Sequence, residues 1–189
     1  MEFGVCFKGE LSPQRLRRLV QQLEAGGFDY CWFYDSHILW RDCYVAMAMC
    51  IEHTSRIRFG PCVTNPGVRE WSVAASLFAA LALQSEGRFD IGLGRGDSSL
   101  RVMGKRPANL RSMVEFGQQV KAMVRGEEVT YPDCPSSVKF PWAAGHELPL
   151  WIAAYGPKAL KSAGEFGDGL ILQIAEPEIC RWLATQARR

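Results

Sequence analysis

Residues 26–37 read Gly26-Gly27-Phe28-Asp29-Tyr30-Cys31-Trp32-Phe33-Tyr34-Asp35-Ser36-His37. The glycine pair ends the helix that precedes it, because glycine takes the left-handed backbone of a helix C-terminus without steric cost. Tyr30 to Tyr34 then runs apolar without interruption, and polar residues return at once. A run of this kind is a strand buried on both faces, and such strands belong to parallel sheets covered by helices. The alternation extends both ways. Upstream, Glu2 to Phe7 reads as a strand. Ser12-Pro13 supplies a helix N-cap with proline at the first helical position, and Leu16, Leu19, Val20 and Leu23 share one helical face. Downstream, Asp42 opens a second helix through Tyr44, Met47, Ala48 and Ile51. Arg56 to Val63 is a third strand, Glu70 to Leu83 an alanine-rich helix, and Phe89 to Leu93 a fourth strand.

Asn109 to Arg125 is a fourth helix. The stretch from Glu127 to Glu147 breaks the rhythm with Pro132, Pro135, Pro141 and Gly145, and reads as an insertion with a short hairpin. Leu150 to Ala154 is a fifth strand, Gly156-Pro157 opens a fifth helix, Leu170 to Ile174 is a sixth strand, and Pro177 opens a last helix. No linker divides the chain, so residues 1–189 are expected to form one α/β domain. Two architectures fit a βα repeat of about 25–30 residues: a doubly wound open sheet and a (β/α)8 barrel. A barrel needs eight units, usually in about 250 residues, and six units fill this chain. Periodicity leaves both open.

Composition narrows the function classes. Among 189 residues, 22 Lys plus Arg face 20 Asp plus Glu, and 48% are apolar. That excludes a disordered or collagen-like chain. The near-neutral balance gives no electrostatic argument for nucleic acid or an anionic membrane, and no run approaches the roughly 20 apolar residues of a membrane helix. Met1 to Val5 lacks the basic-then-apolar layout of a secretory signal. The seven cysteines are odd in number, form no C-x-x-C pair and sit mostly in apolar runs, which predicts free thiols in a reducing, cytoplasmic setting. His37, His53 and His146 form no i, i+4 pair, so no metal site is expected.

In either parallel architecture ligands bind beyond the C-terminal ends of the strands. The residues there are Lys8-Gly9-Glu10, Asp35-Ser36-His37, Cys62-Val63-Thr64-Asn65-Pro66-Gly67, Gly94-Arg95-Gly96-Asp97-Ser98, Tyr155-Gly156-Pro157-Lys158 and Gln173. Asp35 and His37 bracket one serine. They could polarise a bound ring or an imidazole, or Asp35 and Ser36 could simply cap a helix. Gly92 to Asp97 has G-x-G-x-G spacing after the fourth strand, a poor dinucleotide fingerprint but a good tight turn beside a ligand. Arg95, Arg101, Lys105 and Arg106 could neutralise an anion or form a solvated basic surface. Gly156-Pro157-Lys158 offers free backbone N–H groups and a helix dipole to a phosphate, or is an ordinary strand-to-helix turn. Cys62 reads as inert packing more readily than as a reactive thiol. Trp40 follows His37 and is a candidate wall for a bound ring. No nucleophile elbow, P-loop or H-E-x-x-H is present.

These segments, in this order, resemble the bacterial luciferase-like superfamily, particularly its deazaflavin-dependent branch similar to methylenetetrahydromethanopterin reductase. The likeness is carried by Gly27 to His37, Thr54 to Pro66, Gly87-Arg88, Gly92 to Asp97, Gly156 to Leu160 and Asp168-Gly169. It implies a (β/α)8 barrel of TIM type, here incomplete. It implies coenzyme F420, or alternatively FMN, and hydride transfer to or from a small organic substrate. By motif matching, Asp35 and His37 take the ring and substrate side as catalytic residues. Cys62, Val63, Thr64 and Asn65 back the ring in a bulge whose non-prolyl cis peptide would be Cys62–Val63. Gly94, Arg95, Gly96 and Asp97 line the cofactor, and Gly156, Pro157 and Lys158 hold its phosphate. The residues from Glu127 to Glu147 match a variable region that covers substrate.

The last two βα units of the family are expected to be missing, which leaves strands one and six as open edges unless further sequence or a second chain closes the barrel. A homodimer is the expected assembly. A non-catalytic truncated subunit is the alternative, and a phosphate-handling barrel lyase or isomerase using Lys8 is the weakest reading.

Overall fold

The computed structural model describes residues 1–131, 135–143 and 145–188. Six strands run parallel: β1 (Gly4–Phe7), β2 (Tyr30–Phe33), β3 (Arg58–Pro61), β4 (Ile91–Leu93), then Leu150–Ala153 and Gly169–Ile171. The last two are numbered β7 and β8, after a two-stranded antiparallel hairpin of β5 (Val129–Thr130) and β6 (Ser137–Val138). Their order is β1-β2-β3 and β4-β7-β8. The two halves join through bridges Phe59↔Phe89 and Thr64↔Leu93, with Asp90 N donating to Phe59 O and Gly94 N donating to Thr64 O. The result is one sheet in sequence order, as a barrel requires and a doubly wound sheet does not.

The helices begin where the sequence places them. α1 (Pro13–Ala25) is capped by Ser12 Oγ, α2 (Cys43–Ile51) by Asp42 and α3 (Trp71–Gln84) by Glu70. α5 (Leu110–Val124) is capped by Asn109, while α6 (Pro157–Phe166) and α7 (Pro177–Ala187) start on proline. Each side-chain cap accepts from a backbone N–H of the first turn that has no partner within the helix, worth about 1 kcal/mol. One element was not legible: α4 (Asp97–Arg101), a single turn after β4 that starts from Gly96 at φ 79°.

The strands are less symmetric than an uninterrupted apolar run predicts. Alternate residues point outward into the helix layer, where Phe33, Phe59, Leu93 and Ile152 are fully buried with Phe78 and Phe89. Burial of one such ring contributes about 2–3 kcal/mol. The opposite face, toward the barrel axis, is only half-buried and pairs tryptophans with glycines. Trp32 lies over Gly60 and Trp151 over Gly169, so closely that a Cβ on either glycine would come within 2.6 Å of an indole atom. Tyr30 stacks on Trp32, and Trp151 meets both rings edge-on. Trp151 Nε1 donates to Asp90 at 2.7 Å, and Arg58 Nε donates to the same carboxylate at 2.8 Å. Burial pushes the Asp90 carboxyl above its usual range despite the bonds from Trp151 and Arg58.

Among the described residues no helix is long and apolar enough to cross a membrane, and no group of three or more His, Cys, Asp or Glu is placed to hold a metal. Cys6, Cys31, Cys43, Cys50, Cys62 and Cys180 are free thiols. Pro132 and Cys134 lie outside the described residues.

Candidate active site

At the C-terminal ends of the strands lies a cavity of about 880 Å³. Its wall includes Asp35, Cys62, Val63, Gly94 to Ser99 and Tyr155 to Ala159. Four separate strand-end segments that are far apart in sequence therefore share one space. Its volume lies within the range of cofactor sites. The Cys62–Val63 peptide is cis, as the family resemblance implies.

Gly94 sits directly against Val63: a Cβ there would come within 2.6 Å of Val63 Cγ2. The floor is consequently flat where the two segments meet. Gly96 is left-handed and so close to Asn65 that a Cβ would lie 2.5 Å from Asn65 Cγ. At the far end, Gly156 caps α6 without any side-chain hydrogen bond, and a Cβ at Gly156 would meet nothing within 4 Å. Pro157 has no N–H, so the N–H groups of Lys158 and Ala159 are the first donors of the helix, and both residues are on the wall. This end of the cavity can hold an anion.

The expected site residues separate into three groups. Cys62, Val63, Gly94, Arg95, Gly96, Asp97, Gly156, Pro157 and Lys158 line the cavity. Thr64 and Asn65 do not reach it, being 1% and 0% exposed behind it. Asn65 Nδ2 donates to Ser99 Oγ at 2.9 Å and its Oδ1 accepts from Gly67 N, so it braces the Gly96 turn from below. Asp35 borders the cavity, but its carboxylate accepts from Tyr44 OH, Thr64 Oγ1 and Arg69 Nη1 at 2.8–2.9 Å. It is fully engaged, in neither the helix-capping nor the ring-polarising arrangement. His37 is exposed in the turn after β2 and forms no part of the cavity wall.

Trp40 is likewise away from the cavity, and Lys8 Nζ packs over its ring at 5.2 Å. Lys8 itself is not on the cavity wall. Arg101 pairs with Asp97 on an exposed helix turn at 3.1 Å, and Lys105 and Arg106 are exposed, so this run is a solvated basic surface. The Cys62 thiol is held below its usual pKa by a hydrogen bond with Cys6, against the upward push of burial. Tyr34 and Gln173 also reach the cavity. Their signal in the sequence is position alone, each standing at or just after the end of an apolar run. Arg69 and Tyr44, which hold Asp35, carry no sequence signal, because neither falls in a motif or at a strand end.

The chain matches the model of the luciferase-like monooxygenase family over residues 1–189. It is 30% identical over 185 residues to 5,10-methylenetetrahydromethanopterin reductase of Archaeoglobus fulgidus, covering 94% of this chain and 54% of that protein. It is 28% identical over 201 residues to the F420-dependent hydroxymycolic acid dehydrogenase of Mycobacterium tuberculosis, covering 97% of this chain and 56% of that one. The coenzyme F420-dependent tetrahydromethanopterin reductase of Methanopyrus kandleri superposes with a TM-score of 0.86 at 24% identity, over 98% of this chain and 59% of that one. The chain spans about half the length of the curated relatives it matches. The six-stranded parallel order, the cavity at the strand ends and the family match agree: the chain belongs to the luciferase-like monooxygenase family.

Proposed function

We propose that the cavity binds a deazaflavin, coenzyme F420, or alternatively FMN, and that the protein is an oxidoreductase transferring hydride between that ring and a small organic substrate. The observation that carries this reading is the convergence of the Val63–Gly94 floor and the open α6 N-terminus on one 880 Å³ space. A planar ring needs a flat floor without side chains, and a ring carrying a phosphate tail needs an anion site at a fixed distance from it. The residues present fit both demands. Curated relatives named as F420-dependent enzymes support the choice of cofactor. When bound, the ring supplies the hydride chemistry. The chain's own part is to lay one ring face on Val63 and Gly94, to leave the other face to substrate, and to hold the phosphate with the N–H groups of Lys158 and Ala159.

Fluorescence titration with F420, FMN and NADPH in separate experiments tests the reading. Saturable binding of F420 or FMN is expected, with NADPH far weaker. Binding of none of the three would end it. The non-catalytic alternative has no support among the curated relatives, which are named as reductases and dehydrogenases.

The proposal extends to a homodimer built on α2 and α3. Neither helix contains a charged residue from Cys43 to Ile51 or from Trp71 to Gln84. Outward-facing helices of a barrel are ordinarily amphipathic, as α1 is. Here Val45, Val73 and Leu83 are 73%, 58% and 52% exposed. An apolar, charge-free face of this kind suits a second copy of the same face across a two-fold axis. Sedimentation equilibrium is expected to give a dimer for the wild type and a monomer for Val73→Glu. A monomeric wild type would remove this part.

A further inference from the structure

Resting on the functional reading above, we infer that Arg69 and Tyr44 are positioning residues that fix the shape of the cavity floor through Asp35 and Thr64. Neither Arg69, Tyr44 nor Thr64 lines the cavity. Asp35 is 4% exposed, and its Oδ2 accepts from Tyr44 OH at 2.8 Å, Thr64 Oγ1 at 2.8 Å and Arg69 Nη1 at 2.9 Å. The Arg69 guanidinium lies over the Tyr44 ring at 4.5 Å, and its Nη2 donates to Asp42 at 2.9 Å, the residue that caps α2. One arginine, in the segment before α3, thus ties the end of β2 through Asp35 to the start of α2 through Asp42.

Thr64 passes that anchorage to the floor. Its hydroxyl is held by Asp35, while its N–H donates to Gly92 O at 2.8 Å and its carbonyl accepts from Gly94 N at 2.9 Å. Val63, the residue before it, makes the close contact with Gly94. The network therefore clamps Thr64 from both sides, and Val63 and Gly94 lie on either side of the clamp. A buried carboxylate that served only to close the core would need its charge balanced. Here one of its donors is the hydroxyl of Thr64, whose N–H and carbonyl also bond Gly92 and Gly94. Arginine is required, because its fork reaches Asp35 and Asp42 at once and lysine cannot.

Thr64→Val removes the hydroxyl at constant shape, and Arg69→Lys keeps the charge but not the fork. Each is expected to weaken FMN or F420 binding about tenfold and to shift the absorption maximum of the bound ring. Each is also expected to speed amide exchange at Thr64 and Gly94, whose N–H groups bond across the clamp, in the free protein by about the same factor. Thr64→Ser is expected to restore all three readouts. Glu24→Gln is the stability control. Its carboxylate accepts from the N–H groups of Ser55, Arg56 and Ile57, away from the cavity. It should lower the melting temperature without changing ring affinity or exchange at the floor. Unaltered exchange at Thr64 and Gly94 in Thr64→Val and Arg69→Lys would overturn the inference, whatever the cofactor does. If exchange rises but the wild type binds neither ring, the functional reading fails and the clamp stands.

Discussion

Gly92→Ala is expected to abolish the cooperative unfolding transition or to lower stability by about 3 kcal/mol or more, toward the upper end of what overpacking costs. An added methyl would sit 2.1 Å from the carbonyl oxygen of Pro61 and 3.3 Å from Ile171 Cδ1. The obstacle is backbone of β3, held in the sheet by Cys62 N donating to Phe33 O on one side and by Thr64 N donating to Gly92 O on the other. Neither strand can retreat without breaking the junction between the two halves of the sheet. Alanine in place of glycine ordinarily gains about 0.5–1 kcal/mol by lowering the entropy of the unfolded chain. The steric cost is several times larger and decides the sign. Against a total stability of about 5–15 kcal/mol, a loss of this size is visible in a single urea titration. A variant as stable as the wild type would mean that β3 and β4 do not approach as described.

Gly94→Ala is expected to do the opposite: to leave the fold and remove the site. Its methyl would come within 2.6 Å of Val63 Cγ2 and 3.4 Å of Ala153 Cβ. The near neighbour is the free end of a side chain, so Val63 can turn aside, and the direction open to it is the cavity it lines. The flat floor becomes a ridge. Overpacking of about 1–3 kcal/mol placed on the bound state corresponds to a dissociation constant raised about 10- to 100-fold. The melting temperature should change little. The double variant Gly94→Ala with Val63→Ala restores the room, and binding should return to near the wild-type value. Independent, additive losses in the two single variants would show that the contact does not shape the ring site.

The fold was legible because its signals are local and redundant. Ser12-Pro13 and Asp42 mark helix starts by chemistry that needs no tertiary context, and both cap; Glu70 and Asn109, read as the first residues of their helices, are their caps as well. The apolar runs located the strands, although Phe89 contributes only a bridge before β4 begins at Ile91. The choice between barrel and open sheet was not legible, since strand order depends on contacts between residues far apart in sequence. The site was legible at its glycines and strand ends, where Gly94, Gly96 and Gly156 mark places without side chains. It was not legible at its anchors. Arg69 gives no periodic or motif signal, and Asp35 looks like a catalytic carboxylate until the three donors around it are seen. Trp40 and His37 lie off the cavity wall for a related reason: proximity in sequence to a strand end does not fix which way a turn points its side chains. The α4 turn escaped because one helical turn has no periodicity to read.

The crystal structure of the chain grown with coenzyme F420, and separately with FMN, tests the central claim most directly. The account predicts the ring lying flat on Val63 and Gly94, with a phosphate oxygen about 2.7–3.1 Å from the backbone nitrogens of Lys158 and Ala159. A ring bound elsewhere, or a phosphate away from the start of α6, would contradict it.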